Sequence, residues 1–294
     1  MRTLRCNGTA RHGWIRRSVV AALSVLAMTS AIAADLEVFH ADSLAGPMRE
    51  LKTAYEAKHP GVTLRLTSGV SKQLAERILN GDACDVFAPS SPAVIDDDLM
   101  GKPIAASGKP AATWYIVFSA NEMVVITAKG NPRAIHELGD LAKPGIRIVR
   151  VTGDKDLATG RTLEFLKRAA AREGKAEIAQ QIVDKAPVDS AKPVNVPDVV
   201  GAVRQGNADA GIVYYSAAVA ARGDVDIVRF ADAVNLSESI RNAAAVPGTA
   251  RDAQEATAFV AFLMSPQAQE ILKNAGQPPV SPALRRGEVP PELR

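Results

Sequence analysis

The sequence predicts an α/β protein of two lobes, and three observations carry that expectation. Short β-like apolar runs alternate with helical patterns along the chain, as in sheets flanked by helices. A leader-like segment fills the first 33 residues, and the roughly 260 that follow suffice for two lobes of domain size. The composition, 47% hydrophobic and 23% charged, is that of an ordinary globular protein. It excludes a disordered tail, a collagen-like fibre and a disulfide-dense scaffold. Aromatics are scarce, at 4%, which argues against a base-stacking nucleic-acid surface.

The leader comes first. Arg16-Arg17 precede the apolar run "SVVAALSVLAMTSAIA", which ends in Ala31-Ile32-Ala33. A charged start, a short apolar stretch and a small-residue exit are the parts of a secretory signal. The run is shorter than the roughly 20 apolar residues of a membrane span. The sequence therefore predicts a signal peptide over 1–33 and a mature chain from Ala34 in the periplasm. Two arginines before an apolar run do not separate Sec from twin-arginine export. Five of the 35 basic residues lie in that segment and none of the 32 acidic ones, so the processed chain carries 30 against 32, a net of −2. Cys6 leaves with the leader, and Cys84 is expected to be a small buried residue.

The elements follow in order. "LEVFH" (36–40) reads as a strand and 44–58 as a helix, with Pro47 in the first turn where proline is tolerated. "VTLRL" (62–66) is the next strand, followed by a helix over 72–80 with Leu74, Ala75 and Ile78 on one face. "DVFAP" (85–89), "YIVFS" (115–119), "MVVIT" (123–127) and "IRIVRV" (146–151) are further strands. Helices are expected over 160–172 and 198–206, and strands at "AGIVYY" (210–215) and "VDIVRF" (225–230). The chain ends in two helices, 252–264 and 266–275, parted by Ser265-Pro266.

Familiar enzymatic signatures are missing: no Gly-rich dinucleotide turn, no GxxxxGK, no HExxH and no GxSxG. The sequence offers hydroxyls at strand-to-helix turns instead. Ser43 follows the first strand and Ser71 the second. Each position suits N-capping. Each would also place a hydroxyl beside the free N–H groups of a helix N-terminus, where anions bind.

Five segments, "VFHADSLAGPM", "SGVSKQLAERILNGDACDVFAPSS", "GDKDLATGRT", "NADAGIVYYSAA" and "LMSPQAQEILKNAGQPPV", carry a family resemblance. In order and spacing they resemble the molybdate/tungstate-binding proteins of ABC importers, over about 36–280. "NEMVVIT" and "NAGQPPV" look closest to the branch that includes tungstate binders. The resemblance implies the type II periplasmic-binding-protein fold with a ligand cleft between its lobes. On that reading lobe one is 34–118 plus 236–294, and lobe two is 119–235. It further implies no cofactor and no catalysis, a monomer, and a membrane permease as partner. Residue by residue, the family's first serine falls on Ser43 and its second on Ser71, with Ser68 close enough to compete. A backbone donor of the second lobe falls on Thr159 or on Ala158, another on Val196, and the site tyrosine on Tyr214. Archaeal tungstate binders add two carboxylates to the metal. Val196 stands in the place of one and Leu157 in that of the other, with Asp156 adjacent. A tetrahedral ion held only through its oxygens is the expected ligand.

Such an ion suits these residue types. Molybdate and tungstate carry no proton near neutral pH, so their site needs donors and no acceptor, which hydroxyls and backbone N–H groups supply. Asp42, beside Ser43, is expected to face away, since a carboxylate in the cleft would repel a dianion. Two rivals remain. Tyr214-Tyr215 could be the phenolate pair of a ferric-binding protein, with His40 or Asp156 as a further ligand, although neighbours on one strand face opposite sides. An enzyme on a similar two-lobed fold would need an acid–base pair in the cleft.

Overall fold

A computed structural model describes residues 34–153, 156–188 and 192–294; the expected leader lies outside them. The first unit runs β1 (Ala34–Ala41), a 3-10 turn (Asp42–Leu44), α1 (Ala45–Glu56), β2 (Val62–Gly69), α2 (Ser71–Leu79), β3 (Val86–Ala88) and α3 (Pro92–Asp98). These strands form a parallel sheet ordered β2-β1-β3. Parallel strands need helical crossovers, and α1 and α2 supply them. The register pairs Ala41 with Gly69 and His40 with Ala88. All three carboxyl ends therefore open on one edge, where open α/β sheets bind ligands.

The chain continues through β4 (Trp114–Ala120), β5 (Met123–Ala128), α4 (Leu138–Ala142), β6 (Ile148–Arg150), α5 (Leu157–Arg172), α6 (Glu177–Lys185) and α7 (Val196–Arg204). Then come β7 (Ala210–Tyr214), α8 (Tyr215–Ala220), β8 (Val225–Val228) and α9 (Asp232–Asn235). The chain ends with β9 (Arg241–Ala244), α10 (Ala253–Leu263), α11 (Pro266–Asn274), β10 (Pro279–Gly287) and a 3-10 turn. One mixed sheet is ordered β6-β7-β5-β8, and an antiparallel one β10-β4-β9.

Burial separates the two lobes. Met123, Phe165, Leu166, Ile212 and their neighbours, drawn from 123–240, make one core. Residues from 36–118 and 243–293 make two more, around Leu36, Phe118 and Phe259 and around Phe87 and Ile95. Each fully buried Leu, Ile or Phe contributes about 1.5–3 kcal/mol. Leu236 and Ile240 pack in the core drawn from 123–240. The two crossings touch where the N–H of Asn121 donates to the Ile240 carbonyl at 3.1 Å.

Several helix starts differ from expectation for a local reason. Asp156 caps α5 by accepting from the Ala158 N–H at 2.8 Å, so the helix begins at Leu157 and not at 160. Asn195 and Asp198 form a reciprocal capping box, each side chain taking the other's N–H at 3.0 Å. That box makes Val196 the first residue of α7, two positions earlier than its apolar spacing suggests. β7 stops at Tyr214, so the expected strand over 210–215 loses its last residue to α8.

α7 lies against β7 so closely that only glycine fits at 211. A Cβ there would stand 2.7 Å from Val199 and 3.1 Å from both Ile126 and Val203. Gly211→Ala should therefore cost about 1–3 kcal/mol through overpacking, seen as a lower urea midpoint. Gly201→Ala, in the same helix but meeting no neighbour, should instead stabilise by up to about 1 kcal/mol.

Candidate functional site

A cavity of about 30 Å³ lies where the first sheet's carboxyl edge meets the second lobe, against Ser43, Val70, Ser71 and Ser90 on one side and Asp156, Leu157, Val196 and Tyr214 on the other. A water needs roughly 10–15 Å³, so the space suits a compact ion.

The hydroxyls are arranged to donate. The Ser43 Oγ is buried and has no partner among the described residues. The Ser71 Oγ accepts from the Ser90 N–H at 3.3 Å, which leaves its own proton free. The Tyr214 hydroxyl accepts from Arg161 Nη1 at 2.9 Å, so its proton too is directed elsewhere. Burial pushes the Tyr214 phenol above its usual value, against the pull of the Arg161 charge. The phenol keeps its proton at neutral pH. Neither serine caps a helix: Leu44 and Val70 hold the cap positions, and neither makes a side-chain capping bond. The N-capping reading of Ser43 and Ser71 is thereby corrected.

Backbone donors complete the lining. Ser71 opens α2, Leu157 opens α5 and Val196 opens α7. As first helical residues they have no carbonyl one turn back to accept their N–H groups. Three helix N-termini thus present partial positive charge to one small space.

Not every expected residue arrives there. Ser43, Ser71, Val196 and Tyr214 line the cavity together; Ser68, Ala158 and Thr159 do not. The Ser68 hydroxyl donates to Asp42. The N–H of Thr159 goes to the Asp156 carbonyl at 3.1 Å, and that of Ala158 to the Asp156 side chain. Capping α5 with Asp156 consumes both donors. Asp42, expected to face away, is an exposed residue at the cavity rim whose carboxylate accepts from the Ser68 hydroxyl, and Ser68 lies outside the lining. Asp156 borders it as well, and burial, with Asp42 adding repulsion, lifts its carboxyl above the ordinary carboxylate range. Tyr215 is no strand neighbour of Tyr214: it starts α8, outside the lining, with Arg229 over its ring at 4.7 Å. His40 is buried with its Nδ1 3.0 Å from the Ala41 carbonyl, and burial lowers its proton affinity. Cys84 is buried, donates to the Val86 carbonyl, and its thiol is pushed up by burial. Among the described residues no group of three or more His, Cys, Asp or Glu side chains is placed to hold a metal ion.

Two contributors carried no role in the sequence reading. Arg161 follows Gly160 near the start of α5, where the helix dipole disfavours a cation. That misfit was the available signal. Gln277 is fully buried in "NAGQPPV" and donates to the Ser43 carbonyl at 2.8 Å. The Ser216 hydroxyl reaches the same carbonyl from the second lobe at 3.3 Å.

Comparison with known proteins places the chain in a family. Residues 36–277 match the family described as bacterial extracellular solute-binding protein. The chain belongs to that family. The molybdate-binding protein ModA of Mycobacterium bovis is 29% identical over 246 residues, 83% of this chain and 84% of that protein. Among solved structures, the sulfate-binding protein SubI of Mycobacterium tuberculosis superposes with a TM-score of 0.65 at 19% identity, covering 85% of this chain and 88% of its own. The periplasmic molybdate-binding protein of Azotobacter vinelandii gives 0.62 at 17% identity, covering 82% and 98%. The fold is thus the two-lobed α/β fold of periplasmic binding proteins. No helix among the described residues is long and apolar enough to cross a membrane.

An unpartnered buried hydroxyl costs free energy in the empty protein. Ser43→Ala should raise the unfolding free energy of the ligand-free chain by about 1 kcal/mol, seen as an increased denaturant midpoint. The Ser43 carbonyl keeps both of its donors in that variant.

Proposed function

We propose that this solute-binding protein captures a tetrahedral oxyanion, molybdate or tungstate, outside the cytoplasm and delivers it to the permease of an ABC importer. The observation that carries the reading is the small cavity whose hydroxyls have their acceptor roles spent or unfilled, ringed by three helix N-termini. Such a site offers protons to an ion that has none of its own. The likeness to ModA supports the choice of ion. The ligand is held through its oxygens by Ser43, Ser71, Val196 and Tyr214, and the two lobes close on it by hinge motion. The protein works as a monomer, needs no cofactor and catalyses nothing. Its leader over 1–33 directs it to the periplasm.

A ferric site built on Tyr214 and Tyr215 is disfavoured by their separation: one borders the cavity and the other packs under Arg229. Calorimetric titration separates the readings. A bond to a charged group is worth roughly 1.5–3 kcal/mol, so Ser43→Ala and Tyr214→Phe should each weaken molybdate binding about 10- to 150-fold. Tyr215→Phe should bind as wild type does. Wild-type affinity in both Ser43→Ala and Tyr214→Phe would place the ligand elsewhere.

Asp156 predicts a pH dependence with a definite sign. A charged Asp156 repels the anion, and its carboxyl, already raised by burial, is raised further when the anion enters. The protonated form binds better and is populated below that value. Affinity should therefore rise as pH falls from neutral. Asp156→Asn keeps an oxygen to cap α5, so it should bind more tightly at neutral pH and lose most of the slope. Weaker binding with an unchanged slope would show instead that the carboxylate is a direct ligand.

A further inference from the structure

Arg161 stands at the seam between the lobes, in α5 of the second. One arm of its guanidinium, Nη1, donates to the Tyr214 hydroxyl at 2.9 Å. The other, Nη2, donates to the Ser90 carbonyl at 2.6 Å, across the seam in the first lobe. Ser90 in turn gives its N–H to the Ser71 Oγ. A continuous polar chain, Tyr214–Arg161–Ser90–Ser71, thus joins a ligand hydroxyl of one lobe to a ligand hydroxyl of the other. The guanidinium also lies over the Tyr214 ring, 5.7 Å from its centroid. Only a planar fork with donors on both arms makes these two bonds at once; a lysine ammonium is a compact point charge on a flexible stem.

We propose that Arg161 is an interlobe latch: it holds the closed cleft by bridging Tyr214 to the Ser90 carbonyl, and it orients the Tyr214 and Ser71 hydroxyls as donors. This rests on the oxyanion reading for the identity of the ligand, but not for the latch. Both bonds are between protein groups, so they favour closure whether or not an ion is present. Arg161 acts through Tyr214 and Ser90 and is a positioning residue. Its loss should appear in the release rate, because closure governs escape more than encounter.

The test compares wild type, Arg161→Lys and Arg161→Met in two measurements. In stopped-flow displacement, both variants should release molybdate at least about tenfold faster, with association changed by less than about threefold. In ligand-free protein carrying spin labels at Lys58→Cys and Lys175→Cys, exposed positions of the first and second lobes, both variants should populate the short interlobe distance less than wild type. Release by Arg161→Lys at the wild-type rate would overturn the latch, since charge alone would then suffice. Identical distance distributions in all three proteins would overturn it too. Failure of wild type to bind molybdate would sink the oxyanion reading separately, and the distance measurement would still judge the latch.

Discussion

A hydroxyl whose lone pairs are already occupied has only its proton left to offer. The site depends on that constraint more than on any other. A bare dianion in a small buried space offers acceptors alone, so the groups that hold it must present protons. Ser90 fixes Ser71 in that role through its N–H, and Arg161 fixes Tyr214 through its guanidinium. Ser43, with no partner among the described residues, is left to donate to whatever enters. The helix N-termini need no such arrangement, because a helix cannot satisfy its own first N–H groups.

The scaffold exists to bring these donors together from both lobes. In the first lobe, register does it, because pairing Ala41 with Gly69 sets the turns bearing Ser43 and Ser71 side by side. In the second, caps do it, because Asp156 and the Asn195–Asp198 box decide which residue begins α5 and α7. A buried polar cluster joins the halves. Gln277 and Ser216 hold the Ser43 carbonyl, Asn242 donates to Gln277 at 2.6 Å and to the Ser119 hydroxyl at 2.9 Å, and Asn121 donates to Ser216 at 2.9 Å. These side chains flank both crossings between lobes. Buried amides that are hydrogen-bonded specify one arrangement where an apolar seam would slide.

Much of this was legible in the sequence, and the limits have physical causes. The first three strands and two helices read correctly because β1 and β3 are short apolar runs, the edge strand β2 alternates Val62, Leu64 and Leu66 with polar residues, and clear breaks part them. β9, with the sequence Arg-Asn-Ala-Ala, has no strand composition and pairs only because β4 presents its edge. β10 contains two prolines, which a strand tolerates at an edge and beside a bulge, and it has both. At the site, Ser43 and Ser71 could be named because each follows a strand and precedes a helix, whereas Val196 and Tyr214 are named only through the family resemblance. Arg161 and Gln277 could not be named, since their roles depend on contacts across 71 and 234 positions of chain. The exclusion of Thr159 was hidden too: with Asp156 at the cap, the Thr159 N–H goes to the Asp156 backbone carbonyl and the Ala158 N–H to its carboxylate.

The central claim is that one small anion is held by hydroxyl and backbone donors in a cavity shared by the two lobes. Native mass spectrometry of the ligand-free protein with molybdate, tungstate, sulfate, phosphate and ferric ion in turn tests it most directly. The account predicts a single molybdate or tungstate bound per chain, retained over sulfate and phosphate, and no retained iron. Retention of ferric ion, or of no oxyanion at all, would contradict it.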